Sequence, residues 1–250
     1  MRILDSILLR AAAGEKMLVR LIDPEKFDAS TLREDIGCSS TPRQQGASFD
    51  YYFVGGSTAA DTTAVVRAIH AVSTTPVVLF PGSAAQFTPE ADALLLLTLM
   101  NSRDPRFLID QHIGSADTIV ASGIESIPMG YILVDGGRMS TTQRLTGAQP
   151  VSAQSADEAV RLARTAMLLG KRLIYLEAGS GALSPVPKHI IRAVREAVDL
   201  PLIVGGGIRE PRQMSEALAA GADIVVIGNH FESHPEQIPL FLAEKRNGEK

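Results

Sequence analysis

Tyr175-Leu176-Glu177 places a phenol and a carboxyl two positions apart at the end of an apolar run. In an extended strand both side chains point to one face. Such a pair can hold an alcohol and take its proton, which is general-base work. The next residues, Ala178-Gly179-Ser180-Gly181, form a turn that can offer N–H groups and a hydroxyl to phosphate. Gly-Ser-Gly is equally a generic flexible turn. Two further runs end in glycine: Leu202–Val204 in Gly205-Gly206-Gly207, and Ile224–Ile227 in Gly228-Asn229. Glycine lets a backbone N–H approach an anion with no Cβ in the way, and a helix N-terminus adds positive dipole. If the two runs are neighbouring parallel strands, their loops open at the same sheet edge. The loops after strands seven and eight of a (β/α)₈ barrel are a common phosphate site. Turn-making alone explains one such loop better than two in matching places.

Near the other end, Met17–Ile22 runs straight into Asp23-Pro24. A carboxylate at a phosphate-binding mouth repels the ligand unless a cation intervenes. Mg²⁺ fits, because it takes one or two carboxylates plus phosphate oxygens and waters. A turn former before Pro24 is the competing reading of Asp23. Ser57, in Gly55-Gly56-Ser57-Thr58, can add a hydroxyl near metal or phosphate, or cap the helix at Asp61. Asp135 also follows an apolar run. The five histidines have no metal-ligand spacing: His70 and His189 sit in helical patterns, and His230 adjoins Asn229, within reach of a phosphate.

Composition bounds the class of protein. The 250 residues suit one α/β barrel, and 45% hydrophobic residues supply a sizeable core. A net charge of −4 with no long run of either sign argues against nucleic acid as main partner. The single cysteine, Cys38, excludes an intrachain disulfide framework, and a reduced cytoplasmic setting is expected. The amphipathic start contains Asp5 and reads as a helix, not a signal peptide. No stretch approaches the roughly 20 apolar residues of a membrane span.

Eight apolar runs alternate with mostly helical segments, the pattern of a parallel barrel. The runs are Met17–Ile22, Tyr51–Val54, Pro76–Phe80, Ala93–Met100, Gly130–Val134, Leu173–Leu176, Leu202–Val204 and Ile224–Ile227. Helices are expected over Ile3–Ala13, closing the bottom, and over Asp61–Val72, Asp157–Leu169, Lys188–Val198, about Glu210–Ala220 and Pro235–Lys245. Arg106–Ala121 reads as helix interrupted by Gly114. Ala29–Ser48 and Arg138–Pro150 read as polar loops. One crossover is anomalous. Little more than Ser83–Glu90 separates the third run from the fourth, with Gly82 before it and Pro89 inside it. A parallel crossover usually needs a dozen or more residues and a helix. The third helix should therefore be missing, replaced by an irregular loop, and no domain boundary is visible within residues 1–250.

Taken together, LIDPEKF, YFVGGST, VDGG with the later Pro150-Val151, YLEAGSGA, IVGGGIR and DIVVIGN resemble the geranylgeranylglyceryl phosphate synthase family. That family includes bacterial heptaprenylglyceryl phosphate synthase relatives. GGGI and IGN occur in many phosphate-binding barrels; the ordered set is specific and covers nearly the whole chain. The resemblance implies a modified TIM (β/α)₈ barrel lacking its third helix. It implies a Mg²⁺-dependent prenyltransferase joining sn-glycerol 1-phosphate to a polyprenyl diphosphate, such as geranylgeranyl diphosphate, with release of pyrophosphate. Carried over by position, Asp23 and Ser57 match the metal residues. Tyr175, Leu176, Glu177, Ala178, Gly179, Ser180 and Gly181 match the glycerol phosphate loop. Gly206, Gly207, Gly228 and Asn229 match the remaining phosphate contacts, and Glu177 with Tyr175 would act on the glycerol hydroxyl. The prenyl tail would lie in the helix-free gap beside Pro81–Pro89. The long Ala29–Ser48 excursion departs from shorter members and resembles a larger, more oligomeric branch, so a homo-oligomer (dimer or hexamer) is implied. Peripheral membrane contact for product release is a further expectation. The rivals are another phosphate-binding barrel, either a sugar-phosphate isomerase or cyclase or a flavin-dependent oxidoreductase, and a non-catalytic phosphate binder.

Overall fold

The structure is a computed structural model that describes residues 1–28, 48–56 and 61–248. Ser57 and almost all of the Ala29–Ser48 excursion lie outside those residues. Eight parallel strands close into a barrel in chain order. They are β1 (Met17–Ile22), β2 (Tyr51–Val54), β3 (Val77–Leu79), β4 (Ala93–Leu99), β5 (Glu125–Leu133), β6 (Leu173–Glu177), β7 (Leu202–Gly205) and β8 (Ile224–Ile227). β8 closes on β1 with Met17 opposite Ile224.

The alternation of a pleated strand splits the core in two. Met17, Val19, Leu173, Tyr175, Ile203 and Val226 fill the barrel interior. Leu18, Ile174, Leu176, Val204 and Val225 face the surrounding helices. Helix α1 (Ile3–Ala12) closes the bottom, as its amphipathic pattern predicts: Leu4 and Ile7 plug the interior. Its first N–H groups, of Ile3 and Leu4, donate to the Glu125 carboxylate at the start of β5, at 2.7 and 3.0 Å. That carboxylate satisfies orphan donors and complements the helix dipole.

Around the barrel run α2 (Thr62–His70), α3 (Asp110–Ser122), α4 (Thr141–Thr146), α5 (Ala156–Leu168), α6 (Lys188–Ala197), α7 (Pro211–Ala219), α8 (Asn229–Ser233) and α9 (Ile238–Gly248). Between β3 and β4 the described chain makes only a single 3₁₀ turn, Ala84–Gln86, so the short crossover is helix-free as expected. α5 packs closely by burying small residues, Ala159, Ala163 and Ala166. α3 has no fully buried residue, which leaves a gap beneath it beside the missing helix.

Three local expectations need correction. β5 begins at Glu125, not Gly130, because seven residues of β4 pair along it despite Pro128. α3 runs through Gly114 without a break; nothing lies near the place a Gly114 side chain would occupy, so that glycine faces open space. The polar stretch after β5 contains α4, capped by Ser140, whose hydroxyl accepts from Gln143 N at 3.0 Å. In addition, α8 and a 3₁₀ turn at Pro235–Gln237 precede the last helix, which starts at Ile238.

Asp50 ties three elements together beneath the barrel. Its carboxylate accepts from Leu18 N at 2.7 Å, Arg10 Nη2 at 2.6 Å and Lys245 Nζ at 2.7 Å. Asp50→Ala strands that N–H and two cations, so chemical denaturation should show a loss of about 3 kcal/mol. A loss below about 1 kcal/mol would mean that solvent replaces the carboxylate.

Candidate active site

A cavity of about 480 Å³ opens at the carboxyl ends of the strands. Its wall includes Asp23 from the end of β1, Tyr175 and Glu177 from β6, and Gly179, Ser180 and Gly181 from the loop that follows. Gly206 and Gly207 after β7, and Gly228 and Asn229 after β8, complete the rim. Most of the site residues expected from the sequence thus meet in one place. Leu176 and Ala178 are exceptions: both side chains lie in the outer apolar layer, and the Ala178 N–H donates to Gly205 O at 3.0 Å. Strand alternation turns them away from the residues on either side of them. Asp135 also stays out of the wall, its carboxylate accepting from Gly137 N at 2.9 Å.

Tyr175 and Glu177 face inward together. Glu177 is 8% exposed. Its Oε1 accepts from Gly179 N at 2.7 Å, and the Tyr175 hydroxyl hydrogen-bonds the carboxylate. Gly179 therefore spends its N–H on Glu177 and has none for a phosphate. The pair fits only because β7 ends in glycine. A Cβ on Gly205 would strike the Tyr175 hydroxyl, and one on Gly206 would strike Glu177 Oε1. Burial pushes the Glu177 carboxyl up to about 7, against the opposing pull of Gly179 N–H and the Tyr175 hydroxyl. A general base poised there is matched to neutral pH. Tyr175 and Tyr131 are raised well above the ordinary phenol value, by burial first and then by the nearby Glu177 charge, so both remain neutral donors.

The rim is suited to an anion. The N–H groups of Ser180, Gly181, Gly206 and Gly207 have no acceptor among the described residues. Unspent donors converging on a cavity form an anion-binding concavity. Ser180 Oγ accepts from Asn229 Nδ2 at 2.7 Å, which joins the loops after β6 and β8. Arg209 steadies the β6 loop from below by donating to Ala182 O and Leu183 O at 2.5 and 3.1 Å. His230 lines the cavity but pairs with Gln237 Oε1 at 3.0 Å.

Among the described residues no cluster of three or more His, Cys, Asp or Glu could cage a metal. Asp23 is one of three described carboxylates on the cavity wall, with Glu177 and Glu232, and is backed by Gly56, where a Cβ would come within 2.8 Å of Oδ1. Its Oδ1 accepts from Glu25 N at 3.1 Å, and a partly exposed carboxylate beside an anion site suits Mg²⁺, which draws most of its ligands from phosphate and water. Lys26 Nζ stands 3.6 Å from Asp23 Oδ2.

From this polar end the cavity passes an aromatic neck. Phe80 stacks on Tyr175 with centroids 5.2 Å apart, and Tyr131 lies 5.3 Å from Tyr175. Beyond the neck the wall is formed by Phe87, Leu94, Leu96, Ser115 and Ile119. Leu94 and Leu96 belong to the outer face of β4, so this arm leaves the barrel and descends beneath α3, beside the helix-free crossover.

The PcrB family matches residues 12–244. The chain belongs to the PcrB family. Within it, a geranylgeranylglyceryl phosphate synthase of Zunongwangia profunda is 42% identical over 234 residues, 93% of this chain and 97% of that protein. The geranylgeranylglyceryl phosphate synthase of Thermoplasma volcanium superposes with a TM-score of 0.85 at 31% identity, covering 99% of this chain and 97% of that one. The Thermoplasma acidophilum synthase, solved in complex with substrate sn-glycerol-1-phosphate, gives 0.85 at 30% identity over 99% and 98%. The barrel of this PcrB-family chain, including the omitted helix, thus agrees with the resemblance carried by its motifs.

Sequence reasoning missed Phe80, Tyr131 and Lys26 as parts of the site. Phe80 at the end of a strand was the one available signal; the packing of three rings across a barrel mouth is not written in any local spacing.

The raised Glu177 value has a consequence for stability. Its folded value, about 7, exceeds the ordinary 4.5, so folding favours the protonated acid. The contribution of this group to stability is therefore greatest below pH 4.5 and is lost as pH rises through 7, by about 3 kcal/mol. Glu177→Gln removes that cost. Between pH 4.5 and 8 the variant should gain about 3 kcal/mol on the wild type in urea unfolding, and a pH-independent difference would show an ordinary carboxyl.

Proposed function

We propose that this chain is a prenyltransferase that joins sn-glycerol 1-phosphate to a long-chain polyprenyl diphosphate, making a prenylglyceryl phosphate ether and pyrophosphate. One observation carries the reading. A buried Tyr175–Glu177 pair faces a ring of unspent N–H groups, at the polar end of a cavity whose other arm is apolar. The polar end suits a small phosphorylated alcohol and the apolar arm suits an isoprenoid tail. The names of its relatives support the same assignment.

In this reading the phosphate of the alcohol sits against the N–H groups of Ser180, Gly181, Gly206 and Gly207, with Asn229 and Gly228 alongside. Tyr175 donates to the glycerol hydroxyl or to Glu177 and fixes the approach. The hydroxyl oxygen forms a bond to C1 of the prenyl chain as the C1–oxygen bond to the diphosphate breaks. The proton passes to Glu177, and the electron pair leaves with pyrophosphate. Positive charge developing on the allylic carbon is favoured by the π faces of Phe80, Tyr131 and Tyr175 around the neck. Mg²⁺ held by Asp23, with Ser57 as the second expected ligand, would neutralise diphosphate charge when bound. Exposed Ile113, Val120 and Leu168 support a homo-oligomer, and no helix among the described residues is long and apolar enough to cross a membrane.

The direct test incubates the purified chain with labelled sn-glycerol 1-phosphate and prenyl diphosphates of several lengths, with and without Mg²⁺. A labelled lipid ether that needs Mg²⁺ is expected; none with any donor would overturn the reading. Glu177→Gln should cut turnover by about 10²–10⁴-fold with alcohol-phosphate affinity nearly intact. Because the base must be ionised, kcat/KM in the wild type should fall as pH drops below about 7. Asp23→Asn should raise the Mg²⁺ concentration needed for half-maximal rate; an unchanged requirement places the ion elsewhere.

A further inference from the structure

Lys26 lies in the loop after β1, three residues beyond Asp23, with its ammonium at the lip of the cavity. Nζ donates to Glu232 Oε2 at 2.8 Å and to Asn229 Oδ1 at 3.2 Å, and stands 3.6 Å from Asp23 Oδ2. All three partners line the cavity. Asn229 passes the connection on to Ser180 through its Nδ2. One ammonium therefore links the loops after β1 and β8 and, through Asn229, the phosphate loop after β6. The two arginines that line the wall are committed differently. Arg209 is tied to main-chain carbonyls, and Arg106 forks onto Asp104 two residues before it.

The charge balance around Lys26 is uneven. Two carboxylates, Asp23 and Glu232, share one ammonium, and the Lys26 side chain is 47% exposed. Glu232 has no other described cation within salt-bridge distance. A carboxylate on the cavity wall, paired to a flexible point charge, occupies the place where an anionic ligand oxygen would do the same work. On a four-carbon stem the ammonium can move from one acceptor to another with little change in the backbone.

We propose that Lys26 is a ligand of the donor's diphosphate, that its ammonium passes from Glu232 to a phosphate oxygen when the donor binds, and that Glu232 is the resident anion holding it at the lip until then. No covalent bond changes in this exchange; one charge-assisted hydrogen bond replaces another. The same ammonium then balances charge on the oxygen freed when the C1–oxygen bond breaks, at the moment that charge develops. The inference rests on the prenyl-transfer reading and deepens it.

The test is calorimetric titration of the full chain with inorganic pyrophosphate, with and without Mg²⁺, beside a titration with sn-glycerol 1-phosphate. Lys26→Met should weaken pyrophosphate binding by about 10–100-fold, the worth of one charge-assisted hydrogen bond. Because Lys26 also donates to Asn229, glycerol phosphate affinity should fall too, but by several-fold less than pyrophosphate affinity, and in turnover the KM for the donor should rise more than that for the alcohol. Lys26→Arg should keep most of the affinity. Glu232→Gln removes the competing anion and should tighten pyrophosphate binding several-fold. These opposite signs separate ligand exchange from a structural role. Unchanged pyrophosphate binding in Lys26→Met, or equal weakening in Glu232→Gln, overturns the proposal. If Lys26→Met does not fold, as judged by its melting transition, the signs of Glu232→Gln and Lys26→Arg decide. A wild type that makes product while Lys26→Met binds pyrophosphate normally sinks only this inference. A wild type that binds pyrophosphate through Lys26 but transfers no prenyl group sinks the reaction and leaves the anion site.

Discussion

A carboxyl group kept inside a barrel sets the terms for everything around it. Glu177 sits where an ionised acid is costly, and its compensation comes from one N–H, one phenol and the open mouth of the cavity. That requirement propagates through the strand register. Glu177 lies opposite Gly205, and Tyr175 lies opposite Ile203, so the two polar tips converge on the last residue of β7. Only a residue without a side chain leaves room there. The end of β7 is therefore dictated by β6 as much as by any ligand. Gly205 and Gly206 clear space for the Tyr175–Glu177 pair, while the N–H groups of Gly206 and Gly207 have no acceptor among the described residues. In the proposed reaction the same glycines would serve the acid–base pair from one side and the anion from the other.

The division of labour at the mouth follows from charge. A phosphate that is held for the whole reaction can be bound by fixed dipoles, which cost no side-chain entropy to aim. A diphosphate that must leave gains from mobile charge, and the flexible groups, Asp23 and Lys26, sit together on the β1 loop. Glu177, the proposed base, sits apart from both on β6, buried deeply enough to be half-protonated near neutrality, which would separate proton transfer from the permanently charged groups of the rim.

The sequence carried the barrel, its missing helix and the residues that meet at its mouth, because each of these is written locally. Apolar runs that stop at Asp-Pro, Gly-Gly or Gly-Asn mark strand ends, and β1, β2 and β8 have the bounds those stops predict. Where the local signal was weak, the tertiary context decided. Glu125, Ser126 and Pro128 do not read as strand, yet β4 recruits them as a ladder partner. Gly114 reads as a helix breaker, but on an exposed turn it costs only about 1 kcal/mol and the helix continues. Leu176 and Ala178 belong to a motif in sequence and to the other side of the sheet in space. Lys26 lies inside the LIDPEKF motif, but its pairing was not legible, since Glu232 is more than two hundred residues away in the chain.

In the prenyl-transfer reading the missing helix suits a ligand with two unlike ends. In a barrel the interior is filled by side chains, so a long apolar tail cannot descend through the middle. It must cross to the outer face of the sheet, where a complete ring of helices would already cover the apolar surface. Removing one helix uncovers that surface. β4 is apolar on both faces for this reason: Leu95 and Leu99 pack inward, while Leu94 and Leu96 line the outer arm of the cavity. α3 completes the arm by standing off the sheet, with no side chain fully buried. A bound tail supplies apolar contacts that this helix otherwise lacks. In the prenyl-transfer reading α3, which lends Gln111, His112, Ser115 and Ile119 to the cavity wall, is therefore the helix that a bound tail would contact.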